Sequence, residues 1–285
     1  MLTRKKTSEY RKFIVFIKRI ILGIVRNMFV FNTLTRPIVP FKINLLYYKR
    51  KKGEQNVGDL LSVVLFRCLL EEENIKLWSL RTKRLALIGS IIQFIGSKSI
   101  IFGSGFLDVK SVNLFSFKKP KLIIRAVRGP LTAQALVKMG YFVPPIYGDP
   151  AILMPLFYPV RTGEKKYEYI VIPHYSKLYK YRGHEILSTL TNDWKMFINK
   201  ICSSKLVVSA SLHGIILAET YGIPAIFLND TESNDLFKYK DYYYSTGREN
   251  FIIAASVREA LTYRSKAEVP DLYEQRQSLR KSFFI

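Results

Sequence analysis

The stretch KLVVSASLHGIILAETYGIPAIFL, residues 205–228, places a longer apolar segment between two short ones. The runs Lys205–Ser209 and Ala225–Leu228 predict buried strands, and His213–Tyr221 predicts a helix that joins them. A strand, a helix and a strand in succession are the repeating unit of an open α/β sheet. This stretch therefore predicts that the fold belongs to the α/β class.

Similar units are predicted on either side of it. In the same half we expect a strand at Tyr169–Pro173 and a helix at Asp193–Ile201. Before the polar stretch Arg161–Lys166, strands are predicted at Ile43–Tyr48, Leu85–Ile88, Ser99–Phe102 and Lys121–Ala126, and helices at Leu60–Glu72 and Pro130–Met139. We therefore predict α/β domains at residues 42–160 and 161–285 with a cleft between them, and functional side chains just after the strands.

Composition restricts the classes of function. With 285 residues, 48% of them hydrophobic, the chain can bury a substantial core and is too apolar to be disordered. Its formal net charge of +23 calls for an anionic partner, such as nucleic acid, lipid headgroups or a phosphorylated substrate. Cys68 and Cys202 lie far apart in apolar runs, which predicts reduced core thiols and a cytoplasmic location.

The positive charge is concentrated at the start of the chain, where residues 1–53 contain fourteen Lys plus Arg and one acid. Lys5, Lys12, Arg19 and Arg26 recur every seven residues, so they share one stripe of a helix whose opposite face is apolar. Residues 1–41 are predicted to form a basic amphipathic helix on an anionic membrane surface, with apolar runs too short to span the bilayer. A helix packed on the protein's own domain or on a twin subunit fits the same pattern.

Glycine-containing turns follow two of the predicted strands. In Asn56-Val57-Gly58-Asp59, Asn56 or Asp59 can cap the next helix, and the glycine lets backbone approach a ligand closely. Gly103 and Gly105 flank Ser104 directly after the strand that ends at Phe102, and the N–H groups of this turn could hold an anion or a sugar hydroxyl. Both turns are candidate binding loops as well as ordinary turns.

Charged side chains follow two further segments. Arg128 comes just after a predicted strand and just before a helix begun by Pro130, which favours an anion clamp over a solvated surface arginine. Asp149 precedes Pro150 and is either a turn-forming residue or a carboxylate in the cleft.

Two of the three histidines follow strands of the second half. His174 ends one strand and His213 begins the helix after the next, so the two rings could converge on an anion or on a proton-transfer step. No HExxH motif, P-loop, GxSxG motif or paired Cys/His pattern occurs, so neither metal catalysis nor a resident cofactor is supported.

Six motifs in this order resemble the polysaccharide pyruvyl transferase family over roughly residues 50–235. They are NVGDLLS at 56–62, GSG at 103–105, VRGPLT at 127–132, GDPAILMP at 148–155, PH at 173–174 and SLHGIILAETYGIPAIFL at 211–228. The resemblance implies two Rossmann-like domains facing a cleft, in a glycosyltransferase-B-like arrangement. It also implies transfer of pyruvate from phosphoenolpyruvate to two hydroxyls of a sugar, as a ketal, in a bacterial capsule, exopolysaccharide or cell-wall glycan.

The resemblance suggests roles for the candidate residues. We hypothesise that His213 is the general acid and Asp59 the carboxylate that takes a hydroxyl proton. Donor binding is assigned to Arg128, His174, Ser211 and Gly214. Acceptor binding is assigned to Asn56, Asp149, Gly103, Gly105 and Glu219.

The chain departs from the family pattern at Ser211, where some members carry an arginine. The missing cation is expected from Lys177, Arg182, Arg125 or Arg248. Glycans of this kind are commonly assembled on polyprenyl-diphosphate carriers, so the resemblance also implies a cytoplasmic protein, peripheral at the inner face of the cytoplasmic membrane.

Two other functions stay open. A sugar-nucleotide glycosyltransferase of the same architecture would use Glu219 to hold the ribose. A catalytically inactive membrane-surface scaffold would keep only the fold. No nucleic-acid partner is expected, because the aromatic stretch Tyr239–Tyr244 is not interleaved with a dense basic run.

Overall fold

The computed structural model describes residues 43–72, 83–161, 163–230 and 235–283. Its strands are β1 (Ile43–Leu46), β2 (Lys83–Ala86), β3 (Ser99–Phe102), β4 (Leu122–Ala126), β5 (Ile170–Ile172), β6 (Val207–Ser209), β7 (Ala225–Leu228) and β8 (Ile253–Ala254). Its α-helices are α1 (Val57–Glu72), α2 (Val109–Ser116), α3 (Pro130–Lys138), α4 (Met154–Phe157), α5 (Trp194–Cys202), α6 (Leu212–Thr220), α7 (Phe237–Ser245), α8 (Val257–Thr262) and α9 (Tyr273–Ser282).

The strands form two parallel sheets of four, hydrogen-bonded in chain order from β1 to β4 and from β5 to β8. The predicted α/β class is confirmed, and the two parallel sheets are consistent with Rossmann-like units. The sheets fall on either side of residue 160, whereas the predicted domain limits, the cleft and the glycosyltransferase-B-like arrangement stay predictions.

The basic amphipathic helix predicted for residues 1–41 lies outside the described residues. Within the described part of the chain, no helix is long and apolar enough to cross a membrane.

Each predicted strand and helix overlaps an observed element, whereas α2, α4, α7, α8, α9 and β8 were not predicted. The helix α4 is a single turn, and α7 and α9 consist mostly of polar and tyrosine side chains. In α9, for example, Leu279 is the one residue classed as buried, and most of the others are polar. Their positions are set by contacts with other elements and not by local pattern.

The main core joins the two halves. Leu61 and Leu65 of α1 share one buried cluster with Phe197 of α5 and Ile215 of α6. A second cluster covers the opposite face of the first sheet, beneath α2 and α3. Late in the chain, α9 returns to the first sheet, where Phe283 packs edge-on against Phe102 with ring centroids 5.2 Å apart.

The turn before α1 is held by the second half. The Val57 N–H donates to the Thr189 carbonyl over 2.8 Å, and Asn56 forms an antiparallel bridge with Leu190. Asn56 Oδ1 accepts from the Gly58 N–H at 3.1 Å, so Asn56 caps the start of the helix, and α1 begins at Val57 instead of the predicted Leu60. This docking brings the turn to the carboxyl edge of the second sheet.

Candidate active site

A glycine on α1 makes room for a histidine of the other half. A Cβ added to Gly58 would lie 2.0 Å from His213 Nδ1, which is impossible for any side chain. His213 occupies the first turn of α6, directly after β6. The absent side chain at position 58 thus lets the imidazole pack against the turn that carries Asn56 and Asp59.

Asp149 meets the other side of the same imidazole. Its carboxylate is fully buried, Oδ1 accepts from the Ala151 N–H at 3.0 Å, and Oδ2 lies 3.7 Å from His213 Nε2. Both facing atoms are buried without a hydrogen-bond partner among the described residues, and 3.7 Å is too long for a hydrogen bond. Two facing polar groups with unused hydrogen-bonding capacity are typical of a site that a substrate completes.

Asp59 completes this group, which we call the histidine cluster (Asp59, Asp149 and His213). Burial raises the pKa of Asp59 to about 7, and the nearby His213 opposes the rise. A carboxyl group with a pKa near neutrality can both donate and accept a proton at physiological pH. Three residues predicted from separate motifs are therefore brought together.

The GSG turn at residues 103–105 has a structural role that was not predicted from the sequence. The Gly103 N–H donates to the Ala126 carbonyl at 2.9 Å, and the Gly105 N–H donates to the Gly89 carbonyl at 3.2 Å. With φ of +79°, Gly103 adopts a conformation that favours glycine, and a Cβ there would lie 2.4 Å from the ring of Pro150. The turn therefore seats the segment that carries Asp149, and the two glycine N–H groups predicted to hold a ligand are already engaged.

Arg128 is the second charged contact between the halves. Its side chain is fully buried, and Nε donates to Asp241 Oδ2 of α7 at 3.0 Å. Nη1 donates to Ser90 Oγ at 2.7 Å and Nη2 to the Phe106 carbonyl at 2.6 Å. A solvated surface arginine is excluded, and a donor clamp would require these contacts to be exchanged.

Glu219 is also engaged inside the protein. Arg248 contacts both of its carboxylate oxygens, at 2.8 and 2.7 Å, and Tyr242 Oη donates to Oε2 at 2.7 Å. The residue is buried in α6, so the structure does not bring it to the histidine cluster. The same pairing occupies Arg248, one of the four cations expected to replace the missing arginine.

Three basic side chains, which we call the cationic edge (His174, Lys177 and Lys238), lie where the strands of the second sheet end. Lys238 of α7 was not singled out from the sequence. Burial and the nearby Arg128 charge lower its pKa to about 8. Partial covering of the ring, and then the Lys238 charge, lower the pKa of His174, and Lys177 adds to that effect. Positive charges that lower the pKa of His174 and of Lys238 favour an anion at this place.

The cationic edge adjoins the start of α6. Tyr239, the neighbour of Lys238, donates from Oη to the Ala210 carbonyl at 2.7 Å, one residue before Ser211. The first N–H groups of a helix have no partner within it and attract anions. Gly214 lets Ser209 approach, since a Cβ there would lie 2.4 Å from Ser209 Oγ.

The other expected cations lie in different places. Lys177 donates from Nζ to the Asp230 carbonyl, beside His174. Arg182 and Arg125 are exposed, Arg182 after a 3-10 turn and Arg125 on β4. Lys238 could have been found from the sequence only by knowing that α7 turns back toward Ala210. No group of three or more His, Cys, Asp or Glu in the described ranges could hold a metal ion.

Parallel sheets with titratable side chains collected beyond their carboxyl ends are characteristic of α/β enzymes. The chain belongs to the polysaccharide pyruvyl transferase family, whose profile matches residues 71–232, more than half of its length. The expected family membership is thereby confirmed, and the family is one of transferases.

Two curated proteins are similar to part of the chain. The chain is 32% identical over 133 residues to the succinoglycan biosynthesis protein ExoV of Rhizobium meliloti, covering 44% of this chain and 40% of ExoV. It is 30% identical over 174 residues to an uncharacterised protein of Acanthamoeba polyphaga mimivirus, covering 54% of this chain and 57% of that protein. The matches thus span about half the length of these curated relatives.

A solved structure shares the fold. The crystal structure of a functionally uncharacterised protein from Klebsiella pneumoniae superposes with a TM-score of 0.50 over 82% of this chain and 99% of that one, at 14% identity. At this identity the likeness concerns the fold alone.

Proposed function

We propose that the protein transfers pyruvate from phosphoenolpyruvate to two hydroxyls of a sugar, forming a ketal on a bacterial capsule, exopolysaccharide or cell-wall glycan. The observation that carries the proposal is the histidine cluster, in which an imidazole and two carboxylates meet between the halves with unused hydrogen-bonding positions. Family membership supplies the reaction class.

The donor would bind at the cationic edge. Phosphoenolpyruvate carries a phosphate and a carboxylate, and Lys238, His174 and the start of α6 together offer charge and N–H groups for two anionic ends. Lys238 takes the place expected for Arg128 as the main donor cation, because Arg128 is already paired with Asp241. Lys238 also supplies charge that the arginine missing at Ser211 would have brought.

The chemistry follows from the histidine cluster. Protonated His213 donates a proton to the methylene carbon of the enol, which leaves an oxocarbenium-like carbon. One sugar hydroxyl adds to that carbon while Asp59 takes its proton. The carbon–oxygen bond to phosphate then breaks with its electron pair, and the second hydroxyl closes the ketal, its proton leaving to the released phosphate. Asp149, whose Oδ2 lies 3.7 Å from His213 Nε2, would orient the imidazole ring.

The acceptor would approach from the side of Asn56. Asn56 Oδ1 is used in capping, so its amide N–H groups are the part that can meet a sugar hydroxyl. We further propose that the acceptor is linked to a polyprenyl-diphosphate carrier, which places the protein at the inner face of the cytoplasmic membrane. No resident cofactor is required by this scheme.

The proposal is tested by binding and turnover with the full chain. Titration calorimetry with phosphoenolpyruvate should give saturable binding that Lys238→Met weakens at least tenfold. Lys240→Met, which changes an exposed lysine on the same helix, is the matched control and should bind as the parent does. Phosphate release with a panel of unpyruvylated exopolysaccharide repeat units then identifies the acceptor.

The same titration separates the alternatives. Binding of a nucleoside diphosphate sugar in place of phosphoenolpyruvate would move the protein to the glycosyltransferase class, although Glu219, expected there to hold the ribose, is paired with Arg248. Binding of neither ligand, with and without acceptor present, would favour the inactive scaffold. A His213→Gln protein that binds the donor and releases phosphate at the parent rate would overturn the proposed acid.

A further inference from the structure

The surface at the far ends of α2 and α3 combines large exposed apolar side chains with lysines. Phe117 and Phe142 are each 85% exposed, and Leu114 is 63% exposed. Lys119, Lys121 and Lys138 are exposed beside them. We call these six residues the lysine–phenylalanine face. Isolated exposed apolar residues are ordinary, but bulky ones grouped with like charges mark an interaction surface.

Hydrogen bonds hold the parts of this face together. Tyr141 Oη donates to the Pro120 carbonyl at 2.8 Å, which ties the segment carrying Phe142 to the turn carrying Phe117 and Lys119. The Lys98 N–H donates to the Lys121 carbonyl at 2.9 Å, which ties the turn that carries Lys98 to the segment that carries Lys121. A groove of about 400 Å³ between α2 and α3 reaches the same end, where Ser116 and Met139 line it.

The charge of the face is one-sided. Residues 109–148 contain seven Lys plus Arg and no Asp or Glu. No carboxylate among the described residues pairs with Lys119, Lys121 or Lys138. Lys98 and Lys119 are also the described non-glycine residues with positive φ, at 64° and 34°. A backbone conformation that lysine rarely adopts is thus used twice to build the turns that display these charges.

We propose that the lysine–phenylalanine face docks on a membrane containing anionic lipid. Phenylalanines would enter the boundary between headgroups and acyl chains, and the lysines would contact phosphate groups. The bulky apolar side chains favour lipid over a nucleic acid, and the absence of acids favours an anionic surface over a second copy of this equally basic chain. The contact is separate from the histidine cluster and does not depend on the reaction.

The test places a tryptophan on the face of the full chain. Phe117→Trp changes a residue that is 85% exposed, so folding should be preserved. With vesicles of phosphatidylcholine and brominated phosphatidylglycerol, the emission of the introduced indole should shift to the blue and be quenched by at least a third. The matched control, Tyr273→Trp, reports from α9, which packs on the opposite face of the first sheet, and it should not respond.

A charge variant provides a second measurement. Lys119→Glu with Lys121→Glu should weaken vesicle binding roughly tenfold to thirtyfold, because each lysine near an anionic surface contributes on the order of a fewfold to tenfold. Vesicle binding that leaves the emission of the Phe117→Trp variant unchanged would overturn the proposal, as would no binding at all. A blue-shifted emission of that variant without vesicles, lost on dilution, would show that a second copy covers the face and would overturn the proposal. Binding of oligonucleotides in preference to vesicles would overturn it as well.

Discussion

The two halves meet through two buried charged contacts that differ in how completely they are satisfied. At Arg128 and Asp241 both side chains are fully buried, and Asp241 also accepts from the Thr132 N–H at 2.9 Å and from Thr132 Oγ1 at 2.6 Å. In the histidine cluster, the facing atoms of Asp149 and His213 are buried without hydrogen-bond partners in the described ranges. Both contacts rely on a glycine, since a Cβ at Gly129 would lie 1.8 Å from the Asp241 carbonyl and one at Gly58 would lie 2.0 Å from His213.

This difference indicates that the Arg128–Asp241 contact has a structural role and that the histidine cluster has a chemical one. A fully paired buried ion pair holds two elements in one arrangement, and removing one partner leaves a charge without compensation. An incompletely paired group costs stability until a ligand completes it, which is the usual compromise of an active site. The first contact should therefore control folding, and the second should control turnover.

The largest expected effect is on stability at the paired contact. Arg128→Met leaves Asp241 buried without its cation, so the free energy of unfolding should fall by about 3–5 kcal/mol. Urea unfolding measures it. Adding Asp241→Leu should restore a substantial part of the loss, because it removes the uncompensated charge. A stable Arg128→Met protein that no longer binds phosphoenolpyruvate would instead make Arg128 the donor clamp. The Arg128–Asp241 contact would then not be purely structural.

The second effect is a gain in stability at the histidine cluster. The pKa of Asp59 is raised to about 7, so between roughly pH 4 and 7 the unfolded chain releases a proton that the folded protein retains. Stability therefore falls as pH rises through this window and stays low above it. Asp59→Asn should recover up to about 4 kcal/mol at pH 8 and nothing near pH 4. Equal urea midpoints for the two proteins at pH 8 would contradict this.

The third effect is on turnover alone. His213→Gln removes the proposed acid, and such groups typically contribute about a hundredfold to ten-thousandfold in rate. We expect phosphate release to fall at least a hundredfold while the unfolding free energy changes by less than about 1 kcal/mol, because the Nε2 contact is unsatisfied. Unchanged turnover would remove His213 from the mechanism.

The smallest expected effect is on the pH dependence of donor binding at the cationic edge. Lys238 loses its charge as pH rises through about 8, so donor affinity should weaken above that pH by up to about tenfold per pH unit. Lys238→Arg should keep donor binding and lose this dependence. Calorimetric titration at several pH values measures both, and an identical pH profile in the variant would assign the dependence to another group.

Much of the fold could be predicted, because several of its strands are short, continuous apolar runs that are buried on both faces. The strands β3 and β7 begin and end where the pattern indicates, and both are wholly buried. The missed helix α7 is rich in tyrosine and lysine and has no apolar stripe. It is held by α3 and by the Asp241 pair, which are contacts between segments far apart in sequence.

The site could be predicted in part for the same reason. Asp59, Asp149 and His213 each follow a recognisable strand or turn, and the rule that ligands bind beyond strand ends placed them together. The rule does not say which charged residues find partners. Arg128 satisfies the same criterion, and Glu219 lies on the helix that carries His213, yet Asp241 and Arg248 engage them. Those partners lie in or just after the helix that was missed.

The return of α9 to the first sheet has a consequence for the order of folding. Phe102 is the last residue of β3, and its ring packs against that of Phe283. Leu279 of α9 packs close to Gly148. During synthesis the first half emerges well before the residues that close its apolar face. It must therefore wait for the second half before it can complete its core, and contacts of such long sequence separation slow the search for the native state. The two halves should fold as one cooperative unit and, expressed separately, should aggregate.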